Sequence, residues 1–318
     1  MRLVFAGTPE PALPSLRALA AAGHDIAAVI TRADAPLGRK RILTPSPVAV
    51  AAEELGLPVI RANHLDAAVT ERVAALDAEL GVIVAYGGLV REPLLSLPRE
   101  GWINLHFSLL PRWRGAAPVQ RALIAGERTT GASVFRLVPE LDAGDLLGTT
   151  EYDVPEGTTA GDVLAALADS GASLLADVVA DVAAGCARDT AQVGEPTFAP
   201  KLQLTDGRIS WDLPQRVVFD RIRGVTPEPG AHTAIDGARL KLLEVRPAPS
   251  GDRLPPGTIR LIGRDVLIGT ADEALQLVRV QPAGKPAMAA TDWWRGLRTD
   301  EVRVDAPENP TTVTGDPT

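Results

Sequence analysis

The sequence predicts an α/β fold over its first part and a small all-β domain after it. Three observations lead there. Over residues 1–184, short apolar runs alternate with helical patterns. Those runs are apolar on both faces, as strands of a buried parallel sheet are. From residue 206, short β-type runs follow one another, split by Pro and Gly, which is the rhythm of a small barrel or sandwich.

The elements follow in order. "RLVFA" at 2–6 is the first strand, and the pattern at 11–22 the first helix. "IAAVIT" at 26–31 is the second strand, followed by a helix pattern at 47–56. "PVI" at 58–60 and a helix at 66–78 come next, then "GVIVA" at 81–85 and "WINLH" at 102–106. A helix pattern at 115–126 leads to "GASVFR" at 131–136. The long pattern at 160–184 sets Leu164, Leu167, Leu174, Leu175, Val178 and Val182 on one stripe, the mark of an amphipathic helix. Together these give a Rossmann-like, doubly wound, mostly parallel sheet.

Residues 185–205, "GCARDTAQVGEPTFAPKLQ" and onward, have no period and read as a linker. Strand-like runs then lie at 208–211, 231–235, 239–246, 257–262, 264–269 and 274–281, with one helix pattern at 213–224. They define a domain over 206–305. The tail from Ala306, "APENPTTVTGDPT", has a disordered composition.

The totals limit the classes. A chain of 318 residues with 46% hydrophobic content fits about two domains, each with a real core. One cysteine, Cys186, excludes a disulfide framework and a thiolate metal cluster, and suits a reducing cytosol. The apolar run in "MRLVFAGTPEP" is too short for a signal peptide. No stretch reads as the roughly 20 apolar residues of a membrane span. Most of the net charge of −8 lies before residue 206, so the second part is not strongly basic by count. A local cluster of Arg216, Arg221 and Arg223 lies on its helix pattern. "FAGTPEP" has neither Gly-x-Gly-x-x-Gly nor a P-loop Lys-Ser/Thr, so it does not read as a nucleotide loop. His232 has no metal-ligand partner at the usual spacing. Trp293 and Trp294 read as packing residues.

The chemistry concentrates in "NLHFSLLPRWRGAAP", 104–118. Residues two apart on a strand share a face, so Asn104 and His106 point the same way. Both sit where the strand ends, and ligands of open α/β sheets bind beyond such ends. An amide beside an imidazole can hold a carbonyl oxygen as it becomes an oxyanion. The imidazole can also move a proton. Taken alone, Asn-x-His reads first as two hydrogen-bonded core polar residues. A carboxylate would strengthen the chemical reading. "LVPELDAGDLL", 138–147, offers Glu140, Asp142 and Asp145 in a loop after the next strand, although Asp-Ala-Gly-Asp is also an ordinary turn.

"NLHFSLLPRWRGAAPVQRAL" followed by "ELDAGD" resembles the 10-formyltetrahydrofolate-dependent formyltransferases. "FAGTPE", "TRADAPLGRKRILTPSPV" and "QPAGKPAM" extend the likeness over nearly the whole chain, toward the methionyl-tRNA formyltransferase family. The resemblance implies that Asn104, His106 and Asp142 form the catalytic trio. It implies that 10-formyltetrahydrofolate, as cosubstrate, lies against Ser108, Leu109, Leu110 and Pro111 and against the segment with Tyr86, Gly87 and Leu89. It implies that methionyl-initiator tRNA is the partner, met by Arg39, Lys40 and Arg41 in the basic loop 32–46 and by Arg223 and Lys285. The C-terminal domain would be an oligonucleotide-binding-type (OB) barrel that binds tRNA. No metal, membrane or protein partner is implied, the setting is cytoplasmic, and a monomer is favoured. The chain departs from the family at Phe107, where glycine is frequent, at Pro286, where a second basic residue is common, and in "GVTPEPG", which lacks a common aromatic. Two rivals stay open: formyl transfer to a small amine such as a ribonucleotide or an amino sugar, and a non-catalytic RNA-binding protein with a relic α/β part.

Overall fold

A computed structural model of the chain describes residues 1–38, 40–249 and 251–306. The described chain divides into two compact units. One comprises Met1–Ala122 and Glu127–Lys201; the other comprises Leu123–Gly126 and the chain from Leu202 onward. Arg39 and the tail from 307 lie outside the described residues.

The first unit begins with β1 (Arg2–Gly7), α1 (Leu13–Ala21) and β2 (Asp25–Thr31). A hairpin of β3 (Ala35–Leu37) and β4 (Ile42–Thr44) follows, then α2 (Pro47–Glu54), β5 (Val59–Arg61) and α3 (Ala67–Ala74). The remainder is β6 (Leu80–Val84), β7 (Trp102–His106), α4 (Pro118–Ile124), β8 (Thr129–Arg136), β9 (Leu146–Asp153) and α5 (Ala160–Ala184). One sheet runs in the order β5-β2-β1-β6-β7-β8-β9. Its first five strands are parallel, and β8 and β9 join antiparallel.

Burial on both faces explains the parallel part. Every residue of β6 is buried, and α3 lays Val69 and Val73 on one face against Val4, Ala6, Ile30 and Ile83. On the other side, α5 packs along β8, β9 and α1. Gly171 of α5 lies so near the sheet that an added Cβ would come within 3.1 Å of Leu105. Between β6 and β7 the fit is closer still. The Trp102 indole lies over Gly81, where a Cβ would fall 2.2 Å from the ring, and Trp102 Nε1 donates to the Leu94 carbonyl at 2.9 Å.

Helix α5 spans 160–184 because its ends are marked. Thr159 and Asp162 cap the start reciprocally, at 3.3 and 2.9 Å, and Gly185 closes it at φ +68°. By length and composition alone α5 could cross a membrane. Its stripe of Val163, Leu167, Leu175, Val178 and Val182 is instead buried in the unit.

Two elements of this unit escaped sequence reading. β9 alternates half-buried and exposed positions around Gly148 and its threonines, so it carries no apolar run. The β3–β4 hairpin is almost wholly exposed.

The second unit holds α6 (Gln215–Gly224), β10 (His232–Ile235), β11 (Ala238–Pro247), β12 (Thr258–Ile262) and β13 (Asp265–Ile268). It ends with β14 (Leu275–Pro282), β15 (Met288–Ala289), α7 (Ala290–Arg295) and β16 (Val302–Arg303). Its antiparallel sheet runs β10-β11-β14-β13-β12-β16, and β15 pairs with β14. The core gathers Trp211, Val218, Phe219, Ile222, Leu242, Ile259, Val266 and Leu277 with both indoles of α7. Trp293 and Trp294 meet edge to face, with centroids 6.2 Å apart. The strand expected at 208–211 does not form: a 3-10 turn occupies Leu204–Gly207, and Arg208 makes only an isolated bridge to His232. The apolar residues there, Ile209 and Trp211, are buried as side chains, which gave the segment a strand-like composition without a partner strand.

Candidate active site

Strand β7 reads "WINLH", buried except for a half-buried Asn104. Asn104 and His106 therefore share one face near the carboxyl end of the strand. The expected neighbour, β8, does lie beside β7, but it runs antiparallel, pairing His106 with Ser133 and Ile103 with Arg136. The loop after β8 thus leaves at the wrong end of β7 to meet His106. It must double back. Its base is pinned there by Leu137 N–H to Trp102 O and Arg136 N–H to Asp145 O, both 2.8 Å. Its tip returns Asp142, in left-handed backbone at φ +46°, a conformation Asp tolerates better than most residues.

The carboxylate ends close to the imidazole. Asp142 Oδ2 lies 3.8 Å from His106 Nδ1 and accepts the Gly115 N–H at 2.7 Å. On the other side of the ring, His106 Nε2–H donates to the Trp113 carbonyl at 2.8 Å. This leaves Nδ1 as the atom able to take up a proton. Burial holds the imidazole below its ordinary value of 6.5, and the Asp142 charge and the Trp113 carbonyl oppose that shift. The resting ring is neutral, and a proton added at Nδ1 would find Asp142 beside it. The Asn104 amide makes no side-chain hydrogen bond among the described residues, although the residue is half-buried.

The segments expected to hold the folate divide between scaffold and surface. Ser108 is fully buried, and its hydroxyl donates to Arg112 O at 2.6 Å. The Ser133 hydroxyl donates to Ser108 O at 2.7 Å and accepts from Leu110 N–H. Ser108 therefore closes the turn from within, so what its segment can offer a ligand is main chain rather than the Ser108 hydroxyl. Leu110 and Pro111 are buried and Leu109 is half-buried. The Tyr86 side chain is likewise internal: it is 2% exposed and donates its hydroxyl to Ala62 O at 2.9 Å. Burial pushes that phenol up from its usual value. Gly87, at φ +78°, and the exposed Leu89 follow it. They lie past the end of β6, which neighbours β1 where the strand order reverses, the place such sheets use for ligands.

Of the basic residues, Lys40 and Arg41 are exposed, on the turn of the β3–β4 hairpin beside exposed Leu37, Ile42 and Leu43. Lys285 is exposed on the turn after β14. Arg223 is not available to phosphate. It is 4% exposed, bonds Asp220 Oδ1 through Nη2 at 2.6 Å and Nε at 3.2 Å, and lies 5.5 Å over the Phe219 ring. The inward face of α6, not its outer one, carries it.

Sequence reading missed Gln192. Its amide Nε2 donates to the carbonyls of Asp142 and Gly144, each at 2.8 Å, and its Oε1 accepts from Arg114 Nη2 at 2.6 Å. It sits in the aperiodic stretch read as a linker, where no spacing signals it. Among the described residues, no group of three or more His, Cys, Asp or Glu side chains is placed to hold a metal ion.

Residues 1–179 match the family described as formyl transferase, and residues 201–298 match its C-terminal domain. A methionyl-tRNA formyltransferase of Leifsonia xyli subsp. xyli is 63% identical over 302 residues, covering 95% of this chain and 99% of that protein. The fold is similar to that of HypX from Aquifex aeolicus in complex with tetrahydrofolic acid, with a TM-score of 0.63 and 16% identity, over 92% of this chain and 46% of that one. It is also similar to that of a methionyl-tRNA formyltransferase from Clostridium thermocellum, with a TM-score of 0.58 and 15% identity, over 79% and 95% of the two chains. With a family match over more than half its length and 63% identity to such a relative over 95% of the chain, the chain belongs to the formyl transferases, within the methionyl-tRNA formyltransferase family.

Proposed function

We propose that the chain transfers the formyl group of 10-formyltetrahydrofolate to the α-amine of methionine carried by initiator tRNA, in the cytoplasm, for translation initiation. The observation that carries this reading is the convergence of an unspent amide, a neutral imidazole and a carboxylate: Asn104 and His106 on one face of β7, with Asp142 at 3.8 Å from Nδ1.

The chemistry follows from that arrangement. The amine lone pair attacks the formyl carbon, and the C=O electrons move onto oxygen. The Asn104 amide N–H stabilises that oxyanion. The proton released by the attacking nitrogen passes to His106 Nδ1, and the imidazolium is then held by Asp142 and the Trp113 carbonyl. As the tetrahedral carbon collapses, its bond to the folate nitrogen breaks and Nδ1–H returns the proton to that leaving nitrogen. The proton count closes, and no covalent enzyme intermediate is needed. Placing two bound substrates together supplies much of the acceleration. In this reading the folate lies against Leu109 and the main chain of residues 108–111 and 85–89. Lys40, Arg41 and Lys285 meet tRNA phosphates, and residues 206–305 form an OB-type tRNA-binding domain.

Formylation of methionyl-initiator tRNA, measured beside formylation of nucleotide-sugar amines, tests the proposal. Turnover of the charged tRNA is expected, and Asn104→Ala should lower kcat roughly 10²–10³-fold. Near-normal turnover by Asn104→Ala, or a preference for the sugar amine, would sink it.

A further inference from the structure

We infer that Gln192 is a positioning residue of this reaction, clamping the loop that delivers Asp142. The inference rests on the reading that Asp142 acts through His106.

Asp142 is the one member of the trio not carried by a strand. Its loop folds back over the sheet and holds it at φ +46°. The loop base is pinned at Leu137 and Asp145, some residues away from the tip. At the tip, three hydrogen bonds act. The carboxylate itself accepts the Gly115 N–H at 2.7 Å, and the peptide carbonyls of Asp142 and Gly144 both accept from the Gln192 amide at 2.8 Å. The same carboxamide reaches the second loop through its oxygen, which accepts from Arg114 Nη2 at 2.6 Å. Arg114 directly precedes Gly115. One side chain therefore ties the loop bearing the carboxylate to the loop whose N–H the carboxylate accepts. Both amide hydrogens and the amide oxygen are used; among uncharged side chains only a carboxamide offers two donors and an acceptor in one plane, and glutamine gives it one methylene more reach than asparagine.

Gln192 is itself held in place. Thr190 pairs with Leu146 through two backbone hydrogen bonds of 2.7 and 2.9 Å. On its other side, Thr197 accepts the Trp113 N–H through Oγ1 at 2.9 Å and the Arg114 N–H through its carbonyl at 2.8 Å, and Ala199 N–H donates to Arg114 O at 2.7 Å. These bonds bracket an otherwise exposed stretch, in which Val193 is 86% exposed. The segment has little apolar burial of its own; its hydrogen bonds go to the two loops of the trio. A stretch serving only to span two domains would have no need of them.

A displacement of about 1 Å in a catalytic group can cost on the order of 10²-fold in rate. Gln192→Leu keeps most of the volume and removes all three hydrogen bonds. We expect kcat on methionyl-initiator tRNA to fall roughly 10–100-fold, with KM for the tRNA and for 10-formyltetrahydrofolate essentially unchanged. The double variant with Asp142→Asn should turn over no more slowly than Asp142→Asn alone, because residues acting as one unit are not additive. A merely structural role would lower the melting temperature and cut activity by the same factor in both backgrounds. If Gln192→Leu does not fold, Gln192→Met, of similar reach, takes its place in the same cycle. Unchanged kcat in Gln192→Leu, or the same loss in both backgrounds, overturns the inference. Full turnover by Asp142→Asn alone instead overturns the role given to Asp142, and the inference with it.

Discussion

Each unit buries an acidic residue against a nitrogen base, and the two pairs are built to opposite ends. In the second unit, Asp220 meets Arg223 at 2.6 Å and Arg216 at 2.8 Å, so both carboxylate oxygens are engaged. Phe219 covers the Arg223 guanidinium. In the first unit, His106 and Asp142 stand 3.8 Å apart, the ring is kept neutral, and the neighbouring Asn104 amide has no side-chain hydrogen bond among the described residues. The closed pair is spent within α6, where each charge is matched by a neighbour on the same helix. The open one leaves hydrogen-bonding capacity that a substrate can use. Both pairs are buried polar groups; what separates them is the hydrogen-bonding capacity left unused.

The sharpest way to break this contrast is to disrupt each pair alone. Arg223→Ala leaves one oxygen of buried Asp220 unpaired while Arg216 keeps the other, and should cost about 1–3 kcal/mol in stability. Denaturant unfolding measures it, and kcat per folded molecule should hold. Replacing both partners, as Asp220→Leu with Arg223→Met, should recover most of that loss. Asp142→Asn should do the reverse: turnover falls strongly and the melting temperature barely moves. If the two variants exchanged these signatures, the contrast between closed and open pairs would be wrong.

A gentler probe is pH. Because burial depresses the His106 value below 6.5, the acid limb of kcat/KM should fall below 6.5. Asp142→Asn removes the charge that opposes the shift and should move the limb lower still. Stability carries the matching sign. As pH falls through 6.5 the unfolded chain binds a proton before the folded one does, so this group costs stability until its folded value is reached. His106→Asn should make the melting temperature less steep across that window, leaving the share of His24 and His232, which burial also lowers. The smallest effect belongs to the surface: Lys285→Ala should weaken tRNA affinity modestly, reduce the salt slope by about 1, and leave stability unchanged.

What could be read from the sequence depended on whether a residue's partner lay nearby. β7 emerged at 102–106 and α5 at 160–184 because apolar patterning is a local signal. Asn104 and His106 were legible from their two-residue spacing. The match of Asp142 to them came from the family pattern, since the antiparallel run of β8 and the doubling-back of its loop leave no trace in spacing. β9 was hidden by its threonines. Arg223 was misplaced because Asp220 and Arg223, three apart on α6, look like a solvated face until the sheet they bury against is known. Gln192 was invisible for a stronger reason: it bonds carbonyls 48 and 50 positions away from a stretch with no period.

Where a polypeptide looks severable and where it cooperates need not coincide. Cleavage after residue 184 would spare every strand and helix of the first unit, yet it would remove Thr190, Gln192, Thr197 and Ala199, whose bonds steady the loops on either side of His106. The first unit runs on to Lys201. A fragment intended to fold and bind folate by itself should end there or beyond, and a protease nick near exposed Val193 should silence the chemistry while the sheet stays intact.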